Sequence, residues 1–214
     1  MNTLPAADLR RKIAGVCLIA APVLLLGSTV LRFGFGRFFT WYLTMKLSFF
    51  FFAVGVLGLM HLLRGRADGS AHVGGGLALA GCLSGASIVT AAYILTKVAK
   101  LVPKEEAGSL FLTVANSPLP GFFFPVGLLV LAVALWRKKV VPAWAALLFA
   151  AGAVLFPVGR AAGLIWAVWA CDVLLTVSLG AIGLMVLRWT VEEWSGSPAP
   201  GAAAAATERE AAVA

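Results

Sequence analysis

Six apolar stretches, each close to the length that crosses a bilayer, constrain the fold of this chain more than any other feature. They cover residues 13–31, 41–63, 73–95, 121–136, 142–158 and 162–187. An α-helix needs about 20 apolar residues to cross the hydrocarbon core. Inside a bilayer every backbone group must be paired within the protein, which helices of this length achieve. We therefore expect an all-α, polytopic membrane bundle of six transmembrane helices within residues 13–188.

The composition supports a membrane protein. Of the 214 residues, 61% are hydrophobic and 12% are charged, and the mean hydropathy is +0.98. Soluble domains carry about 25% charged residues. The net charge of +8 would suggest nucleic acid in a soluble protein, but here most basic residues lie between apolar stretches, where they set orientation. We expect the lipid bilayer as the main partner and no nucleic acid.

The distribution of basic residues predicts the orientation of the chain. The richer side carries Arg10, Arg11, Lys12, Arg64, Arg66, Arg137, Lys138, Lys139 and Arg188, and the other side carries Arg32, Arg37, Lys97, Lys100, Lys104 and Arg160. Because short cytoplasmic segments carry the excess of Lys and Arg, both termini should be cytoplasmic. Residues 1–12 are then a cytoplasmic head and residues 96–118 an external loop. Residues 189–214 are expected to form a disordered cytoplasmic tail.

A single carboxylate, Asp172, lies inside an apolar stretch. Placing a charge at the centre of a membrane helix costs about 2.5–3.5 kcal/mol on insertion scales. From a helix rise of about 1.5 Å per residue, Asp172 should lie roughly 15 Å and Lys46 roughly 8 Å from the same membrane surface. Since a lysine side chain can extend along its helix, we expect Lys46 to neutralise Asp172, with Arg160 nearby as a second cation.

Helical spacing adds supporting residues to this charge cluster. Trp169, Thr176 and Gly180 share the helix face of Asp172. On the third stretch, Gly81 and Gly85 form a small-xxx-small pair, which lets two helices approach closely.

The charged residues can have a structural role, form a functional site or contact a partner. A Lys–Asp pair can fix helix register, or the lysine can extend outward without a partner. The carboxylate can instead serve as an ion or substrate site, or contact a partner subunit. The sequence leaves these alternatives open.

The sequence contains few residues in patterns typical of catalysis, metal binding or cofactor binding. The three cysteines lie within apolar stretches as small buried hydrophobes. His61 and His72 are not at the matched depth that haem ligation across a bundle requires. We predict no catalytic residue, no metal site and no cofactor, and we do not expect an enzyme.

Several short motifs accompany this pattern: Ala14-Gly15 with Ala20-Ala21-Pro22, the run 59–66, Val141-Pro142-Ala143-Trp144, and Phe156-Pro157-Val158-Gly159-Arg160, with an aspartate in the last span. Together they resemble a group of uncharacterised bacterial six-helix integral membrane proteins from high-GC genomes. The resemblance implies a six-helix bundle in a bacterial cytoplasmic (inner) membrane and brings no known activity.

Two functions follow as hypotheses. The first is a non-enzymatic inner-membrane protein that acts by packing or partner contact, as an accessory subunit of a membrane complex or as a homo-oligomer. The alternative is a small proton- or cation-coupled transporter or channel that uses Asp172.

Overall fold

The computed structural model describes residues 4–64, 69–98 and 118–195, and within these ranges the chain is helical and has no β-strand. The helices are α1 (Leu4–Thr29), α2 (Phe38–Leu63), α3 (Ser70–Val98), α4 (Pro118–Arg137), α5 (Ala143–Ala161), α6 (Ile165–Arg188) and the short α7 (Val191–Ser195). A π-helical turn, Val30–Gly34, extends α1. The all-α prediction is confirmed.

Within the described ranges, five helices are long and apolar enough to cross a membrane. They are α1, α2, α3, α5 and α6. The apolar part of α4, Phe122–Arg137, is shorter. The chain is therefore a helical protein of multi-pass membrane character.

The six helices α1 to α6 form a closed ring. Each packs against its neighbours in the chain, and α6 returns to pack against α1. Short connections make α1 and α2, α4 and α5, and α5 and α6 antiparallel, and α4 runs antiparallel to α3, with Val130 at Gly74 and Phe124 at Gly81. One end of the ring, which we call the Arg160 end, holds the end of α1, the start of α2, the end of α5 and the start of α6. The opposite end, which we call the Arg11 end, holds the start of α1 and the end of α6.

Glycines lie where most neighbouring helices cross. A Cβ on Gly58 of α2 would lie 2.5 Å from the Ala14 side chain of α1, and one on Gly127 of α4 would lie 2.2 Å from the Ala78 backbone of α3. Gly183 meets α1 and Gly152 meets α6 in the same way. Because lipid offers little hydrophobic drive for helix association, close backbone packing has to stabilise these pairs.

The axis of the ring is filled by large apolar side chains. Leu128, Phe149 and Leu179 are at most 1% exposed. Beside them is an apolar cavity of about 10 Å³, about the size of one water molecule but without polar groups to hold it.

The N-terminal segment is helical, because α1 begins at Leu4 and continues into the first apolar stretch. Asp8 pairs with Arg11 at 2.5 Å and with Lys12 at 2.7 Å, one helical turn away. The buried Arg11 guanidinium also donates to the carbonyls of Val186 and Leu187 at 3.0 and 2.7 Å. These bonds cap the end of α6 and join it to the start of α1.

The C-terminal segment differs from the expected disordered tail, because residues 191–195 form α7. The Thr190 hydroxyl accepts from the Glu193 backbone N–H, and the Glu193 carboxylate accepts from the Thr190 N–H, which is a capping box. Trp194 is 2% exposed and stacks on His61 of α2, with ring centres 5.2 Å apart. Residues 196–214 of the expected tail and residues 99–117 of the expected loop lie outside the described residues.

Candidate functional site: a buried ion pair between three helices

Asp172 is completely buried, and both of its carboxylate oxygens have partners. Arg160 Nη2 of α5 donates to Oδ1 at 3.0 Å, and Thr29 Oγ1 of α1 donates to Oδ2 at 2.5 Å. Asp172 lies about two helical turns from the start of α6 at Ile165. One carboxylate therefore joins three helices.

A tight hairpin brings Arg160 to Asp172. The turn between α5 and α6 contains Gly163 with φ +67°, a conformation that favours glycine. Gly159 allows α5 to touch α6, since a Cβ there would lie 2.7 Å from the Val168 backbone nitrogen. The next residue, Arg160, is thus held beside the first turns of α6.

The Arg160 guanidinium has partners besides Asp172. It lies 4.0 Å from the centre of the Phe156 ring, one turn earlier on α5. Its Nη1 lies 3.8 Å from Cys171 Sγ, and that thiol donates to the Gly152 carbonyl at 3.3 Å. With its side chain 22% exposed, Arg160 connects the buried carboxylate to the Arg160 end of the bundle.

Thr29 was not predicted from the sequence. It is 3% exposed near the end of α1, where α1 faces α6. A hydrogen bond to a charged group contributes about 1.5–3 kcal/mol. The sequence carried no usable signal for Thr29, because it lies close to the end of its predicted stretch, 13–31, whereas Asp172 lies well inside its own, 162–187.

The three residues predicted to support Asp172 on its helix face behave differently from one another. The Thr176 hydroxyl bonds the Asp172 carbonyl at 2.6 Å and the Pro22 carbonyl of α1 at 3.2 Å. Trp169 is half-buried. A Cβ on Gly180 would meet nothing within 4 Å, so no close contact depends on that glycine. Thr176 alone of the three bonds to another helix in the described structure.

The cation beside Asp172 is Arg160, and Lys46, which we expected as the first partner, is not paired with it. Lys46 is half-buried on α2 and forms no ion pair within the described residues. The ring order explains the difference, because α1 stands between α2 and α6. Depth along a helix was the basis of the Lys46 expectation, and depth does not define which helices are neighbours.

The two glycines of the predicted packing pair contact different helices. A Cβ on Gly81 would lie 2.2 Å from the Phe124 backbone nitrogen of α4. A Cβ on Gly85 would lie 2.7 Å from the Phe49 ring of α2. Both glycines thus serve helix packing, on the two sides of α3.

The site has the chemistry of a neutralised ion pair. Asp172 has no free oxygen, and the nearby thiol of Cys171 bonds a backbone carbonyl. Over residues 4–64, 69–98 and 118–195, no three His, Cys, Asp or Glu side chains converge as metal ligands. The geometry is that of a structural contact that joins α1, α5 and α6 through one ion pair and one hydrogen bond.

Comparison of the chain with known protein families, with curated proteins and with solved structures finds no match.

Proposed function

We propose that this protein is a non-enzymatic, six-span protein of a bacterial inner membrane that acts by contact with another membrane protein or with a second copy of itself. The resemblance to bacterial six-helix proteins supports the location. Antiparallel packing of α4 along α3, from Val130 at Gly74 to Phe124 at Gly81, supports α4 as the sixth span. The Arg11 end carries more basic residues than the Arg160 end, which supports cytoplasmic termini.

The observation that carries the contact proposal is the open face of α3. Only 22% of its apolar window is buried, against 39–50% for the other four long helices. Exposed positions recur at three- and four-residue steps from Val73 through Gly76, Ala80 and Leu83 to Ser87, and Ile94 follows on the same face two turns later. Gly76 and Ala80 are small residues four apart, and a Cβ on Gly76 would meet nothing within 4 Å. Such a face accepts a second helix at short distance.

The test is crosslinking in native membranes, followed by purification. A protein that acts by contact should give a crosslinked species, and Gly76→Leu should remove it by preventing close approach. Gly27→Leu is the matched control, because Gly27 on α1 also has open space around it. A mass increase of 22.3 kDa, the mass of one chain, identifies a second copy, and any other increase identifies a different partner. Equal crosslinking in Gly76→Leu and in wild type would contradict the proposal.

The burial of Asp172 favours a second candidate, a proton- or cation-coupled transporter or channel. An ionisable side chain within a membrane helix is a functional-site hypothesis in its own right. Proteoliposomes loaded with a pH- or cation-sensitive dye test it. Transport requires a flux in wild type that Asp172→Asn abolishes, while the contact proposal predicts no flux from either protein.

A further inference from the structure

Among the described residues at the Arg160 end of the bundle, cations outnumber carboxylates. Its described cations include Arg32, Arg37 and Arg160, and its one described carboxylate, Asp172, is bound by Arg160. Arg32 makes no ion pair or hydrogen bond with any residue of the described ranges. An exposed arginine without an acidic partner is therefore available for an external anion.

Arg32 is held in place by aromatic rings. It lies in the π-helical turn Val30–Gly34, and such turns are frequent at functional sites. Its guanidinium carbon is 4.5 Å from the centre of the Trp41 ring on α2 and 5.0 Å from that of Phe33. When a guanidinium lies over the face of an aromatic ring, its N–H groups point outward in the guanidinium plane and can still donate to other partners. The side chain is thus restrained before any anion arrives.

Arg32 follows Thr29 by three residues, and Thr29 bonds Asp172, the partner of Arg160, so the two arginines belong to the same region of the bundle. Together with Asp172 they carry a net charge of about +1, since two cations face one carboxylate. Arg160 is held by its ion pair and cannot move away from Arg32 without leaving the buried Asp172 carboxylate without its cation. An anion bound beside Arg32 would offset this net positive charge.

The same region has the aromatic side chains of a membrane–water interface. Tyr42 packs against Trp41 and Tyr93, with ring centres 4.2 and 5.1 Å apart. Lys97 Nζ lies 5.6 Å from the centre of the Tyr93 ring. Trp and Tyr concentrate at the headgroup level of a bilayer, which is the level where lipid phosphates lie. Arg32 therefore faces a layer that contains phosphate anions.

We propose that Arg32, with the field of Arg160 behind it, binds a phosphate anion at this end of the bundle, either in the headgroup of an anionic lipid or as the free ion. Bidentate guanidinium–phosphate geometry makes arginine well suited to this role. The proposal goes beyond the contact function and does not depend on it.

The experiment measures the unfolding temperature of the full chain in neutral detergent as ligand is added. The three probes are short-chain phosphatidylglycerol, phosphatidylcholine of the same chain length, and inorganic phosphate. A ligand that binds the folded state raises the unfolding temperature in a saturable way, which yields an apparent Kd. Wild type should respond to phosphatidylglycerol more strongly than to phosphatidylcholine. An equal response to inorganic phosphate at similar concentration identifies the free ion as the source, and a response to the lipid alone identifies the headgroup.

Arg32→Gln should weaken this binding at least about tenfold, the loss expected for a charge-assisted hydrogen bond. Arg37→Gln is the matched control, since it removes the same charge from an exposed residue of the same connection and should leave the binding unchanged. If Arg32→Gln does not fold, Arg32→Lys takes its place and should weaken binding by loss of the planar contact.

Two results would overturn the proposal. In the first, the Arg32 and Arg37 variants respond to every probe as wild type does. In the second, wild type shows no response to any probe, and a response appears only in the double variant Glu105→Gln/Glu106→Gln. That result would mean that carboxylates from the connection between α3 and α4, and not a phosphate, are the partners of Arg32.

Discussion

At the scale of single residues, Thr29 and Arg160 divide the task of stabilising Asp172. Arg160 compensates the charge at 3.0 Å, and Thr29 completes the hydrogen bonding of the second oxygen. A buried carboxylate that loses either partner keeps its desolvation penalty without the full compensation. The two partners therefore contribute by different mechanisms, which substitutions can separate.

Thr29→Val, which keeps the side-chain shape and removes the hydroxyl, should lower the free energy of unfolding by about 1.5–3 kcal/mol. Thr29→Ser should keep most of the stability, because it retains the donor. Unfolding in detergent followed by circular dichroism measures both variants. The control is Thr44→Val, whose hydroxyl bonds only the Thr40 carbonyl of its own helix at 2.8 Å. Equal losses in Thr29→Val and Thr44→Val would contradict a special role for Thr29.

Sequence reasoning at this scale identified Asp172 and Arg160 but ranked Lys46 as the closer cation. Burial of a lone acid in an apolar run is a local property, so Asp172 could be found from the sequence. The choice between Lys46 and Arg160 depends on which helices touch. That choice depends on the short α5–α6 turn and on the packing of α6 against α1. Packing between helices that are distant in the chain cannot be read from the sequence of one apolar stretch.

At the scale of elements, the helices meet through glycines. Gly81 places the α3 backbone against Phe124 of α4, whereas Gly76 on the same helix has open space beside it. The sequence predicted Gly81 and Gly85 from their spacing, but it did not separate packed glycines from open ones. Which glycines face a neighbour depends on helix rotation, and the weak amphipathicity of apolar spans leaves rotation undefined.

Gly81→Ala should lower stability by about 1–3 kcal/mol, the usual cost of overpacking a filled interface. The added Cβ would lie 2.2 Å from a backbone nitrogen, which cannot move as a side chain end can. Gly76→Ala should leave stability unchanged or raise it, because alanine favours a helix by up to about 1 kcal/mol over glycine. Thermal unfolding in detergent compares the two. Destabilisation by Gly76→Ala equal to that by Gly81→Ala would contradict the distinction between an open glycine and a packed one on α3.

Trp194 should decide whether α7 forms. A helix of five residues is too short to be stable alone, and its buried indole packs on His61. Trp194→Ala should raise the hydrogen-exchange rates of the α7 amides towards those of an open chain. Trp189→Ala, which leaves this stacking intact, serves as the control. Unchanged protection in Trp194→Ala would mean that the capping box alone holds α7.

At the scale of the whole molecule, the ring has two ends of different charge. The Arg11 end contains Arg10, Arg11 and Lys12, and α4 finishes there at Arg137. The fold class and the multi-pass character were readable from stretch length and composition. The order of the helices around the ring, with α6 packed against α1, could not be predicted from the sequence. Apolar stretches of similar length carry little information about which other stretches they contact.

Two cysteine variants at opposite ends of α5 test the orientation. Ala143→Cys and Ala162→Cys both place a thiol at an exposed position, while the native cysteines are buried. In intact cells a membrane-impermeant maleimide should label Ala162→Cys, and it should label Ala143→Cys only after permeabilisation. The reverse pattern would place the termini outside.

The central claim is that a pair of opposite charges, Asp172 and Arg160, holds the closed ring together within the membrane. A double-mutant cycle with Asp172→Asn, Arg160→Met and the double variant, read as unfolding free energy in detergent, tests it most directly. Arg160→Met should cost about 3–5 kcal/mol, because it leaves a fully buried carboxylate without a cation. Asp172→Asn should cost less, since the partly exposed Arg160 can reach water. The account predicts that adding Asp172→Asn to Arg160→Met restores stability, and a double variant whose loss equals the sum of the two single losses would contradict it.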